Sequence, residues 1–193
     1  MELARRVRAE IGQEHRYAHC VRVARCAELL ARRYGADPKK ARLAGLLHDL
    51  ARLYSPQRLL AECETRRIPI NDLERAEPML LHARLGAELA RERFGVEDPA
   101  VLSAIAKHTC GDGEMSPLDC VVYLADGLEP GRNFPEREAL WGLAQRDLTA
   151  AMRGTLSSMI GYLQQSGLTV APQTVAAARH FGVVCVRGDI EAG

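Results

Sequence analysis

Apolar residues in this chain recur every three to four positions and seldom alternate, so the pattern predicts helices. Segment 15–34 places Val23, Cys26, Ala27 and Leu30 on one face and stops at Gly35; His19, four residues before Val23, shares that face. Asp37-Pro38 and Ser55-Pro56 each pair a capping residue with a first-turn proline. The first opens a helix running into Leu46-Leu47-His48-Asp49-Leu50, the second a short helix. Residues 66–76 show no period and read as irregular. Pro78 opens a helix through Phe94, closed by Gly95, with His82, Leu85 and Leu89 on one stripe. Asp98-Pro99 begins another, turning Val101, Leu102 and Ile105 inward and ending at His108. Ser116-Pro117 starts a sixth, in which Asp126 interrupts an apolar run before Glu129-Pro130-Gly131-Arg132 breaks the pattern. Residues 147–165 form a long amphipathic helix ended by Gly167, and one short helix follows Pro172. Residues 168–171 and 183–186 are the only strand candidates. The expectation is an all-α protein, a helical bundle.

Composition narrows the class. The 193 residues fit one domain with a substantial core. Apolar residues make up 47% and charged residues 26%, ordinary for a soluble protein. With 26 basic and 25 acidic side chains the net charge is +1, which gives no general nucleic-acid or membrane surface but leaves room for a local basic cluster on a small anion. The first sixteen residues are charged throughout, unlike a signal peptide, and no apolar run approaches the roughly 20 residues of a membrane span. A cytoplasmic protein is expected. Cys20, Cys26, Cys63, Cys110, Cys120 and Cys185 form no CxxC pair and read as reduced thiols.

The polar residues on the inward faces carry the chemistry. His48-Asp49 sits among leucines, where an unpaired charge would cost several kcal/mol. Taken alone, such a dipeptide is most often a satisfied polar pair. Here His19, His48-Asp49, His82, His108 and Asp126 fall one set per helix across five helices. Their simplest common cause is one metal site in the bundle core, built from facing helices. Imidazole and carboxylate suit iron, manganese, zinc and similar divalent ions, and no thiolate is needed. Adjacent helical residues point about 100° apart, so His48 and Asp49 can reach two metals, or Asp49 can bridge them. Arg16, three before His19, and Arg52, four after His48, lie on the faces of their histidines, whereas Arg132 follows a turn. Each arginine is either a solvated surface residue or a phosphate ligand, and Thr109 is either a phosphate donor or a helix-end cap.

Several stretches carry a family resemblance: RYAHCVRVA (16–24), KARLAGLLHDLAR (40–52), LLHARLGA (80–87), AIAKHTCG (104–111) and MSPLDCVVYLADGLEPGR (115–132), with FP at 134–135. They resemble the HD superfamily of metal-dependent phosphohydrolases, defined by H…HD…D, and within it the symmetrical bis(5'-nucleosyl)-tetraphosphatases of the YqeK type. YL at 162–163 and TVAPQT at 169–174 resemble that family's C-terminal end. The resemblance implies a single HD domain over 1–193, its motif core at about 15–135 and C-terminal helices and tail at 136–193. It implies His19, His48, Asp49 and Asp126 as ligands of iron or another divalent metal (manganese, cobalt or zinc), one or two per chain. His82 and His108 would complete a second metal position or contact the polyphosphate. Arg16, Arg52, Thr109, Arg132 and Thr174 would contact substrate, the adenine pocket lying near 169–174. Two positions depart from the family pattern. The common lysine four after the motif histidine is Arg52, and HTTG reads HTCG with Cys110.

The implied activity is hydrolysis of diadenosine tetraphosphate and related dinucleoside polyphosphates to two ADP. Metal-activated water would attack an inner phosphorus, with Asp49 holding or bridging the nucleophile. A nucleotidase or cyclic-nucleotide phosphodiesterase on the same scaffold is the alternative enzyme, and a nucleotide-sensing protein with a structural metal is the alternative class. The partner is a small dinucleoside polyphosphate or ADP, with no nucleic acid and no membrane. The sequence leaves the oligomeric state open, a homodimer included.

Overall fold

The computed structural model describes residues 2–183. Eleven α-helices and one 3-10 turn account for its regular structure, with no strand among the described residues. In chain order they are α1 (Glu2–Ile11), α2 (Glu14–Tyr34), α3 (Pro38–Leu47), α4 (Pro56–Thr65) and α5 (Asp72–Ala76). The 3-10 turn Pro78–Leu81 leads into α6 (His82–Phe94), followed by α7 (Pro99–Lys107) and α8 (Pro117–Leu128). Then come α9 (Arg137–Ala144), α10 (Leu148–Gln165) and α11 (Pro172–His180).

The predicted caps are present as hydrogen bonds. Asp37 accepts from the Lys39 and Lys40 amides, Ser55 from Arg58, Asp98 from Ala100 and Ser116 from Asp119. Each precedes a proline that needs no donor partner in the first turn. Gly35 and Gly95 close α2 and α6 in the left-handed conformation, φ 70° and 68°.

Other elements differ from expectation. Within 66–76 the structure has a short helix, α5, closed by a capping box in which Asn71 and Glu74 satisfy each other's backbone amides. Pro78 begins a 3-10 turn, and the α-helix proper starts at His82. Helix α1 buries Val7 and Ile11 within a highly charged segment, and α9 buries Leu140 and Ala144. Residues 168–170 have no regular structure, and Ala171 caps α11; the strand candidate there is not a strand. Of the other candidate, 183–186, only Val183 lies within the described residues.

Helix α2 packs on α3 and α8, and α7 packs on α3, α6 and α8, so α2, α3, α7 and α8 surround a common interior. Leu30, Leu47, Leu85, Leu89, Ile105, Leu124, Leu128 and Met152 are fully buried there. The α2–α3 approach depends on Gly45, where a Cβ would stand 2.8 Å from Ala24 Cα. No helix among the described residues is long and apolar enough to cross a membrane. Cys20, Cys26, Cys63 and Cys120 are buried free thiols and Cys110 is half-buried; Cys185 lies outside the described residues.

Candidate metal centre

The ends of five helices meet in the interior. Helix α2 brings Arg16 and His19, and the end of α3 brings His48 and Asp49. His82 stands at the start of α6, His108 caps the end of α7, and Asp126 lies in the last turn of α8. His19, His48, Asp49, His82 and His108 are all buried.

One local device repeats at three histidines. Nδ1 of His48 lies 2.8 Å from the Gly45 carbonyl, Nδ1 of His108 lies 2.7 Å from that of Ile105, and Nδ1 of His82 meets that of Met79. A carbonyl only accepts, so Nδ1–H donates in each case to an oxygen three residues earlier, near a helix or turn end where carbonyls lack intrahelical partners. This fixes the tautomer and leaves Nε2 as the lone-pair atom facing inward. His19 uses a carboxylate instead, Glu129 Oε1 at 3.0 Å from Nδ1.

The Nε2 atoms fall into two sets around Asp49. Asp49 Oδ2 is 3.4 Å from His48 Nε2 and 3.7 Å from His19 Nε2, while Oδ1 is 3.5 Å from His82 Nε2 and 3.8 Å from His108 Nε2. Asp126 Oδ1 joins the first set, 3.0 Å from His19 Nε2 and 3.6 Å from His48 Nε2. The ligand atoms of His19, His48 and Asp126 lie within 4.8 Å of one another, as do those of Asp49, His82 and His108. One carboxylate thus faces both sets, which is compatible with the second of the two arrangements that adjacent positions 48 and 49 allow.

The residues fit a divalent metal. Nε2 of His19 and of His48 are buried without a hydrogen-bond partner. Nε2 of His82 and His108 approach each other at 3.2 Å, two acceptors that need a cation or proton between them. Nitrogen and carboxylate oxygen suit iron, manganese, cobalt or zinc. Cys20 lies beside His48 and Asp49, but burial pushes its thiol up to about 11, which leaves it a poor ligand.

The electrostatics agree. Burial would raise the pKa of Asp49, yet His48, His108 and His82 outweigh it and hold the carboxylate ionised. Asp126 is likewise held well below the usual range, with His19, His48 and Arg132 overcoming burial. Burial opposes protonation of His48, but in the metal-free chain Asp49 and Asp126 draw a proton to its Nε2, pushing its pKa well above 6.5; a cation held there would take that proton's place. Burial lowers His82, and it lowers His108 to about 3 with help from His48 and His82. The centre therefore attracts positive charge toward His48 and keeps His108 a neutral donor.

Arg16 Nη1 donates to Asp49 Oδ2 at 3.0 Å, and Arg132 donates to Asp126 Oδ1 while its Nε bonds the Asp126 carbonyl at 2.8 Å. Both arginines are committed to the centre's carboxylates. Arg52 is half-buried, has no carboxylate partner among the described residues, and bears on His82 as a positive charge. Thr109 Oγ1 is 3.0 Å from His108 Nε2 and 3.2 Å from His82 Nε2. Thr174 is buried and donates to the Cys110 carbonyl at 2.9 Å, tying α11 to the turn that carries His108 and Thr109.

Glu129 and Arg22 are neighbours of the centre to which the sequence reading assigned no role, although Glu129 belongs to the ADxxEPxR stretch at 125–132 that carries the family resemblance. A second signal was spacing: Glu129 is three residues after Asp126 and Arg22 three after His19.

Residues 16–131 match the family model for the HD domain, which spans all these ligands. The chain belongs to the HD domain family. It is 37% identical to a symmetrical bis(5'-nucleosyl)-tetraphosphatase of Bacillus subtilis (strain 168), covering 83% of this chain and 86% of that protein. A Staphylococcus aureus (strain NCTC 8325 / PS 47) protein of the same name is 30% identical, covering 94% of each. The crystal structure of a Clostridium acetobutylicum protein, described as a predicted HD superfamily hydrolase involved in NAD metabolism, superposes with a TM-score of 0.89 at 31% identity. That alignment covers 93% of this HD domain protein and 95% of its neighbour.

Proposed function

We propose that this HD domain protein hydrolyses diadenosine tetraphosphate and related dinucleoside polyphosphates symmetrically, giving two ADP. The observation that carries this reading is Asp49, whose two oxygens face separate histidine sets, His19–His48 and His82–His108. The tetraphosphatase names of relatives covered over most of their length support the substrate.

His19, His48, Asp126 and Asp49 Oδ2 would hold one cation, and His82, His108 and Asp49 Oδ1 a second. Iron, manganese, cobalt and zinc all suit these donors. A bound divalent cation supplies Lewis acidity toward phosphoryl oxygens and acidifies water. The chain's own groups do the rest. Arg52 would meet a phosphate: its charge bears on His82 and it has no carboxylate partner among the described residues, which supports that reading. Its forked guanidinium can hold two phosphoryl oxygens at once. Arg16 and Arg132 fix Asp49 and Asp126 and place positive charge where charge accumulates in the transition state. Thr109 offers its hydroxyl beside the two histidines, and Thr174 holds the turn that positions it. No protein nucleophile is required: water attacks an inner phosphorus and ADP leaves. We place the enzyme in the cytoplasm, acting on a small-molecule substrate.

The test is a product-resolved assay of the purified protein on diadenosine tetraphosphate, mononucleotides and cyclic nucleotides with added Fe, Mn, Co or Zn. ADP alone from the dinucleotide supports the proposal. Phosphate released from mononucleotides, or opening of cyclic nucleotides with the dinucleotide untouched, replaces it with the nucleotidase or phosphodiesterase reading. Binding without turnover under any metal would make the protein a sensor.

A further inference from the structure

Three of the four inward-facing histidines lean on neutral backbone carbonyls, and His19 leans on a buried carboxylate. Glu129, 1% exposed, sits on the far side of the His19 ring from the centre and ligates nothing there. Both its oxygens have fixed partners. Oε2 accepts from Arg22 Nε at 2.5 Å and from the Gly131 amide at 2.5 Å; Oε1 accepts from Arg22 Nη2 at 3.1 Å and faces His19 Nδ1 at 3.0 Å. The close fit needs a glycine at 131, where a Cβ would lie 2.5 Å from Arg22 Nη2 and 2.8 Å from Glu129 Oε1. Orientation alone does not require a carboxylate, because backbone oxygens orient the other three rings. A buried carboxylate costs desolvation, and here a salt bridge to Arg22 offsets it. A charge behind an imidazole adds basicity at the opposite nitrogen, so His19 Nε2 becomes a stronger donor than the other three.

Resting on the metal reading above, we infer that Glu129, anchored by Arg22, is a positioning residue for His19. It makes the His19–His48–Asp126 position the tighter of the two cation positions. The Asp49–His82–His108 position has no such support, since Met79 and Ile105 offer only carbonyls.

The experiment titrates the metal-free full chain with Co2+ against a competing chelator, following free metal and the visible Co2+ absorption. The wild-type protein should load in two steps of different affinity. Glu129→Gln keeps the size and an oxygen but removes the charge. It should weaken the tighter step by about 10- to 100-fold, shift that step's absorption bands and leave the weaker step alone. Arg22→Gln, at a side chain 37% exposed, should move the same step in the same direction by less. Melting of the metal-free variants reports folding separately. A lowered melting temperature with both affinities and spectra unchanged would make Glu129 merely structural and overturn the inference, as would loss of the weaker step. A wild-type chain that takes up no cation would remove the metal reading and this inference together, whereas two wild-type steps unmoved by Glu129→Gln would remove the inference alone.

Discussion

Arg16 Nη1 donates at 3.0 Å to Asp49 Oδ2, the same oxygen that faces His19 and His48. The one carboxylate serving both histidine sets is thereby held in place by a cation from another helix. Asp49→Ala should lower turnover by roughly 1000-fold or more, as expected when a group shared by a catalytic unit is lost. Helix content should persist, because alanine suits a helix end at least as well as aspartate. Steady-state rates with circular dichroism and metal analysis check this. A near-normal rate would reduce Asp49 to a structural partner of His48.

On the proposed function, substitution of Arg52 separates substrate binding from assembly of the centre. It lacks a carboxylate partner among the described residues, unlike Arg16 and Arg132, so its removal leaves no buried anion exposed. Arg52→Ala should raise KM for diadenosine tetraphosphate by about 10- to 100-fold, through loss of its charge-assisted hydrogen bonding to phosphate, with metal content unchanged. A fall in bound metal instead would place Arg52 among the supports of His82.

What the sequence made legible here follows from what each signal depends on. His19, His48, Asp49, His82, His108 and Asp126 stood out because each interrupts an apolar helical face, and the structure brings all six together. The cap-proline pairs marked helix starts because capping is local chemistry. Glu129 was legible only as a motif residue with no role: its contact to His19 spans 110 positions and it lies in a segment that reads as a turn. Helix α1 was hidden because its charges swamp the Val7–Ile11 stripe, and α5 because its capping box spans only one turn. Residues 168–171 contain strand-favouring types but lack a partner strand among the described residues.

Gly45 tests how the backbone supports the site. A Cβ there would meet Ala24 Cα at 2.8 Å and Ala24 N at 3.0 Å, both backbone atoms that yield only if α2 and α3 separate. The Gly45 carbonyl also fixes the His48 ring. Gly45→Ala should destabilise the protein by about 1–3 kcal/mol, the usual cost of overpacking, and weaken metal retention. Urea denaturation and metal analysis measure the two effects. Unchanged stability would mean the helix pair is looser than these distances describe.

The metal-free protein should show a pH dependence traceable to His108. Burial first, then His48 and His82, lowers its pKa from 6.5 to about 3 in the folded chain. Between those values the unfolded state binds the extra proton, so this residue's contribution to stability falls as pH drops from about 6.5 toward 3. His48 acts oppositely: its raised folded pKa contributes stability that is present below 6.5 and lost as pH rises through the folded value. The two are separated by His108→Gln, which cannot titrate. Wild-type stability minus that of the variant should rise with pH across this window and level off above it. A difference that falls with pH would mean His108 is charged in the folded state.

Symmetrical cleavage makes a sharper demand than product identity. The two central phosphorus atoms of diadenosine tetraphosphate are equivalent, so a site that grips one ADP half presents one of them to attack. On the proposed function, Arg52, whose positive charge bears on His82, would provide such a grip on one end of the chain of phosphates, next to the Asp49-centred ligands. Water attacking that phosphorus breaks its bond to the bridging oxygen, which departs with the other ADP. The attacked half therefore carries the solvent oxygen on its terminal phosphate, and the leaving half does not. In oxygen-18 water, mass spectrometry should find one labelled ADP for each unlabelled one, the label confined to the terminal phosphate. ATP with AMP would put the attack on an outer phosphorus. Label on both ADP molecules of each pair would mean that product phosphates exchange oxygen with solvent at the site after cleavage, which a single in-line displacement does not allow.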